Sequence, residues 1–189
     1  FKTLFYDFEI SHLDSSYKSI SQVPKIDSSV LLVSGVFNEI FSTPAFERGA
    51  KYLKEKYNID YSYCPTSGIK STAENSRMIK EHVDALSDSG KKTWIFAFSK
   101  GGIDFLHFLK EYDHLANISG LSTVATPILG SDRVNHKILQ MINRIHNYSN
   151  NKVYQFFDRR FDLLLKDFQK SLSSDFQENW FKDNFSHLD

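Results

Sequence analysis

The sequence has one cysteine in 189 residues, no excess of charge of either sign and no long apolar run. Cys64 alone can form no internal disulfide and has no partner for a cysteine metal site. That fits a reducing compartment and equally an exported protein built without disulfides, so cytoplasmic and exported locations both stay open. Lys and Arg together number 23, as do Asp and Glu, and this balance gives no electrostatic footprint for nucleic acid or an anionic membrane. No apolar stretch approaches the roughly 20 residues of a membrane-spanning helix, which points to a soluble chain without an integral span. A glycine-rich dinucleotide loop and a histidine–cysteine cluster are also missing, so no cofactor and no metal are expected. Phe1 rather than methionine opens the sequence, and NFSHLD closes it without an obvious stop, so both ends are expected to be cut.

What is present is an ordinary globular composition, 41% hydrophobic and 24% charged, enriched in aromatics by 17 phenylalanines and nine tyrosines. The length suits one domain with a sizeable core. LFYDFEI alternates Leu4, Tyr6, Phe8 and Ile10 on one face, an edge strand, and a polar loop runs on to Ser29. From Val30 a strand–helix rhythm sets in. VLLV (30–33), IDYSYCP (59–65), TWIFAF (93–98) and ISGLSTVAT (118–126) read as strands. Between them, Thr43–Pro44 opens a helix bearing Phe46, Ala50, Leu53 and Tyr57 on one face. Ser71 and Glu74 make a capping box for a second helix, with Met78, Ile79, Val83 and Leu86 as its stripe and Gly90 at its close. GIDFLHFLKEY (102–112) is a third helix, apolar nearly all round. Continuous apolar strands alternating with amphipathic helices predict an α/β fold, a mostly parallel sheet covered on both faces. After Pro127 only helical periodicity remains: Val134 to Ile145, Val153 to Phe168, then SDFQENWFKDN with Ser174 as its cap. The chain divides into an N-terminal edge strand and loop (1–29), an α/β core (30–131) and a helical cap or lid (132–189).

WIFAFSKGG, Trp94 to Gly102, places Ser99 between a buried strand and a buried helix, with Ala97 and Gly101 beside it. That order matches a nucleophile elbow: a sharp bend exposes the serine, and small residues avoid collision across the turn. The free N–H groups of the following helix face the place where an oxyanion would form. A turn serine on a generic parallel sheet is the bland alternative.

FAFSKGGIDFL resembles the elbow of α/β-hydrolases, in their lipase and esterase branch. VLLVSGVFNE resembles the strand and loop that supply a second oxyanion amide, and STVATPILGS the strand after the elbow helix. Three segments in the right order span residues 30–131. Ala97 replaces the usual first glycine, Phe98 stands where histidine is common, and SGVFNE lacks the usual histidine–glycine pair.

The resemblance implies a serine hydrolase of carboxylic esters acting through an acyl-enzyme on Ser99. The backbone N–H groups of Lys100 and Val36, or of Phe37, would hold the oxyanion, and a small-molecule ester or lipid would be the substrate. The Lys100 side chain need not take part and can pair with Asp104. The fold's acid and histidine come after the serine on later strands, which this chain lacks. His82, His136 and His146 fall in predicted helices, His107 is too far along the elbow helix, and His114 lies at its far end. His187 alone comes late enough, without a strand to position it, and Asp158, Asp175 and Asp183 lie in helices. The acid and base are therefore expected downstream of Asp189. The alternative is a catalytically inactive binding or scaffolding protein on the same fold. Oligomeric state is not legible.

Overall fold

The computed structural model describes residues 28–36, 46–68, 70–87, 90–112, 117–133 and 166–185, with isolated positions at 10, 13, 14, 16, 136, 137 and 140. Strands β1 (Ser28–Val33), β2 (Tyr61–Cys64), β3 (Lys92–Phe98) and β4 (Ile118–Val124) form one sheet in the order β2-β1-β3-β4. Every neighbouring pair is parallel. Helices α1 (Glu47–Tyr57), α2 (Thr72–Ser87) and α3 (Lys100–Tyr112) link successive strands, and α4 (Ser174–Phe185) comes last. Parallel neighbours need crossover links, and crossovers are right-handed. The step from β1 to β2 runs one way across the sheet, and the steps to β3 and β4 run the other. α1 therefore covers one face, while α2 and α3 cover the opposite one.

The central strand β1 feeds both layers. Leu31 and Val33 join Ile79, Val83, Ile95, Ala97, Phe105 and Phe108 under α2 and α3. Val30 and Leu32 join Ala50 and Ile59 under α1, with Phe46, Leu53 and Phe96 packed against them. Burial on both faces is why VLLV is apolar at every position. Each such side chain, fully buried, stabilises the fold by about 1.5–3 kcal/mol.

β3 is less evenly covered than its apolar run predicts. Thr93, Ile95 and Ala97 are buried, whereas Trp94 and Phe98 remain 38% and 36% exposed on the other face. There the Trp94 indole N–H donates to Ser122 Oγ at 3.0 Å.

The capping box forms as read. Ser71 Oγ accepts the Glu74 N–H at 3.3 Å, and the Glu74 carboxylate accepts from the Ser71 hydroxyl (3.0 Å) and N–H (3.4 Å). The α4 cap lies one residue earlier than Ser174. Ser173 Oγ accepts the Phe176 N–H (3.4 Å) and its carbonyl accepts the Gln177 N–H (3.1 Å). Gln177 does not reach back to complete a box, because its side-chain amide is buried and donates to the Ser171 carbonyl at 2.7 Å.

Residues 166–172 are helical and, with α4, lie against the core through Phe168, Ser171, Leu172 and Gln177, all buried. The chain leaving β4 is fastened to them: Ser131 N–H donates to the Leu172 carbonyl (2.9 Å), and Ser174 N–H to Asp132 Oδ1 (3.0 Å). Residues 4–9 of the expected edge strand lie outside the described residues. Ile10, its last member, is helical, with its carbonyl accepting the Asp14 N–H at 2.9 Å. Thr43 and Pro44 lie outside the described residues, but α1 begins later than they suggest, at Glu47, with Phe46 at its N-cap in a left-handed conformation (φ 67°) rather than within the helix. The stripes at Val134–Ile145 and 153–165 also lie outside the described residues.

Candidate active site

The chain leaves β1 toward β2 and leaves β3 toward β4, so the connections diverge at the carboxyl ends of two adjacent strands. Open α/β sheets bind ligands in the crevice at such a switch point. Ser99 stands there, one residue past β3 and one before α3.

Its backbone is left-handed, with φ at 52°. For a residue with a Cβ that conformation costs about 1–2 kcal/mol, and it persists only where the surroundings hold it. Two hydrogen bonds do so. Ser99 N–H donates to the Val124 carbonyl at the end of β4 (2.9 Å), and the Ser99 carbonyl accepts the Gly102 N–H (3.1 Å).

Close backbone approach holds the rest. A Cβ on Gly35 would fall 2.8 Å from Ser99 Cβ, 2.9 Å from the Phe98 carbonyl oxygen and 3.4 Å from Lys100 N. Gly101 is small for a reason other than the expected collision across the turn. A Cβ there would meet the end of β1, 2.7 Å from the Val33 carbonyl oxygen and closer still to that of Ser34. A Cβ on Gly102 would run into the Thr126 side chain after β4. The sequence reading passed over Gly35 and Gly102; the signals were the SG that ends VLLV and the second glycine of SKGG. Ala97 is fully buried beside Val33. Val36 follows Gly35 in a half-buried turn, and Phe37 lies outside the described residues.

Solved structures share the overall fold. A metagenomic carboxyl esterase, MGS0156, superposes with a TM-score of 0.66 at 20% identity, over 89% of this chain and 49% of that one. The Bacillus licheniformis lipase BlEst2 in its mature form gives 0.59 at 19% identity, over 87% and 62%. Its propeptide form gives 0.60 at 19%, over 89% and 34%. The chain has the α/β-hydrolase fold. It spans about half the length of the esterase it matches. No protein-family model and no curated protein sequence matches it.

Within this hydrolase fold, Lys100 and Asp104 pair as their spacing allows, but inside the core. Both are buried, at 0% and 1% exposure, and Lys100 Nζ donates to both Asp104 oxygens, at 2.8 and 2.9 Å. Asn75 Nδ2 donates to Asp104 Oδ2 at 2.7 Å, and Asn75 also grips the backbone of Ser67, accepting its N–H (3.0 Å) and donating to its carbonyl (2.8 Å). Burial pushes the Asp104 carboxyl up to about 6, against the opposing pull of Lys100 and Asn75.

His107 lies further along α3, its ring stacked on Trp180 with centroids 3.6 Å apart, and its Nε2 donates to Gln177 Oε1 at 3.3 Å. Burial holds its pKa down to about 4. His82 lies on α2 with a buried Nε2 that has no hydrogen-bond partner among the described residues, and burial lowers its pKa. His136 Nε2 pairs with the Gln140 amide. None of these three is hydrogen-bonded to Ser99; His114, His146, His187 and Asp158 lie outside the described residues. Asp175 and Asp183 lie exposed on α4. Cys64 is buried and its thiol is pushed up to about 12, which leaves it inert as a nucleophile. Among the described residues no cluster of three or more His, Cys, Asp or Glu side chains could hold a metal ion, and no helix is long and apolar enough to cross a membrane.

Proposed function

We propose that the chain supplies the nucleophile of a serine hydrolase acting on carboxylic esters. The observation that carries this reading is Ser99 held at φ 52° on a strand-to-helix bend at the sheet's switch point. In the proposed reaction a general base takes the Ser99 hydroxyl proton as Oγ adds to the ester carbonyl carbon. The resulting oxyanion accepts hydrogen bonds from the backbone N–H groups of Lys100 and Val36. The tetrahedral adduct collapses, and the alcohol leaves with the proton taken from the serine. Water then hydrolyses the acyl-enzyme, releasing the carboxylic acid and restoring Ser99.

The proximity of Gly35 to both Ser99 and Lys100 N supports pairing the β1 loop with the elbow as one oxyanion site. The neighbouring structures, an esterase and a lipase, support ester substrates. Phe98, partly exposed next to the serine, and Phe46, edge-on to it with ring centroids 5.7 Å apart, favour an apolar acyl group. The general base and its acid partner are proposed to come from outside the described residues, and residues 132–189 to form a cap over the site.

The test is covalent labelling by a fluorophosphonate probe on the protein at its natural length, with Ser99→Ala as control. Labelling that vanishes in the variant is the expected result. No labelling of either protein overturns the reading and leaves a binding protein on a hydrolase fold.

A further inference from the structure

Lys100 directly follows Ser99, yet its side chain is buried in the core, where it meets the buried Asp104 carboxylate. The ammonium, the Asp104 carboxylate and the Asn75 amide form a continuous chain of contacts that ends on the Ser67 backbone in the loop after β2. A second buried tie, Ser76 Oγ donating to the Asp104 carbonyl at 3.3 Å, joins the same two helices. The first turn of α3 is thus held on three sides. Gly101 abuts the end of β1, Gly102 abuts Thr126 beyond β4, and the Lys100–Asp104–Asn75 chain fastens it toward β2.

A buried ion pair is a poor way to gain stability, because desolvating both charges offsets most of their attraction. Well-packed apolar residues of similar volume often replace a buried ion pair at little loss. What the polar chain adds is direction: Lys100, on the same helix, holds the Asp104 carboxylate in one orientation, and the bonds that Asn75 and Ser76 of α2 make to Asp104 then fix the rotation of α3 against α2, which greasy packing does not.

We propose that Lys100, Asp104 and Asn75 are positioning residues, which set the helix turn so that the backbone N–H of Lys100 points at the oxyanion. This rests on the hydrolase reading above. A displacement of an ångström in such a donor costs on the order of a hundredfold in rate.

The experiment compares the natural-length protein with a charge-free pair, Lys100→Met with Asp104→Leu, and with Asn75→Leu, which cuts the link without touching the elbow helix. p-Nitrophenyl butyrate gives kcat and KM, and a trifluoromethyl ketone, which forms an oxyanion on the serine, gives an inhibition constant. The double variant leaves one buried Asn75 amide hydrogen without its acceptor and is expected to melt below the native protein, to lose about 10- to 100-fold in kcat with KM within about twofold, and to bind the ketone more weakly by the same factor as kcat. Asn75→Leu is expected to lose about threefold or more in kcat in the same pattern, and it decides the matter if the double variant does not fold. A folded variant with native kcat and native ketone affinity overturns the positioning role while the hydrolase reading stands. A native protein that neither hydrolyses the ester nor reacts with a fluorophosphonate overturns both.

Discussion

Gly35 stands against Ser99, so near that a methyl group on the glycine would lie 2.8 Å from Ser99 Cβ and 2.9 Å from the Phe98 carbonyl oxygen. Neither neighbour is free to give way, since Ser99 is tied to Val124 and Phe98 ends β3, which is paired on both sides. Gly35→Ala is therefore expected to prise the β1 loop from the elbow, destabilising the fold by about 1–3 kcal/mol. Ester hydrolysis should fall at least tenfold, by order of magnitude, because the loop's amide moves with it. Thermal melting and p-nitrophenyl ester turnover check the two parts; native values for both would show that the loop adjusts freely.

The two glycines after the serine should differ in how they fail. Gly101→Ala meets main-chain carbonyls of Val33 and Ser34, which cannot rotate aside. Gly102→Ala meets the Thr126 side chain, which can be cut back. Adding Thr126→Ala should restore part of the stability lost in Gly102→Ala and none of that lost in Gly101→Ala. A double-mutant cycle by denaturant unfolding reads the coupling, expected at about 0.5–3 kcal/mol for the first pair.

Ser99 holds a left-handed backbone that glycine adopts without a Cβ penalty. Ser99→Gly and Ser99→Ala both lack the nucleophile, so both should be inactive. Ser99→Gly should nevertheless melt above Ser99→Ala, the difference being about 1 kcal/mol. Equal melting temperatures would mean that the bend relaxes once the serine is gone.

His107 sets an acid limit on stability. Its folded-state pKa of about 4 lies below its ordinary 6.5, so between those values the unfolded chain binds the extra proton. Stability from this group is complete above pH 6.5 and is lost as pH falls toward 4, by up to about 3 kcal/mol. Asp104 works in the opposite direction, because its folded value of about 6 lies above its ordinary 3.8 and the folded chain holds the proton there. Unfolding free energy measured from pH 7 to pH 4 should therefore fall less steeply in His107→Phe than in the native protein. Identical slopes would show that the stack on Trp180 opens without cost.

Much of the fold was legible because its signals are local. VLLV and TWIFAF announce buried strands by composition, Ser71 and Glu74 announce a helix start by a contact three residues long, and SKGG announces a bend by the smallness it requires. Even so, locality misled at α4, where Ser174 read as the cap and Ser173 performs it, because the Gln177 amide is claimed by Ser171. The apolar run of β3 likewise gave no sign that Trp94 and Phe98 would stay partly exposed, since exposure depends on what packs above the sheet.

The sequence by itself determined the strands and helices from β1 to β4, their order and the serine on its bend, because each depends on residues within a few positions of one another. Tertiary structure alone decided the rest. Strand order brought the ends of β1 and β3 together, which gave Gly35 its contact with Ser99 across 64 positions. It joined Asn75 to Asp104 across 29 positions and His107 to Gln177 across 70. Periodicity carries no information over such separations. The i,i+4 spacing of Lys100 and Asp104 showed only that they can pair; packing of α3 against the core made the pair a buried one beside the serine.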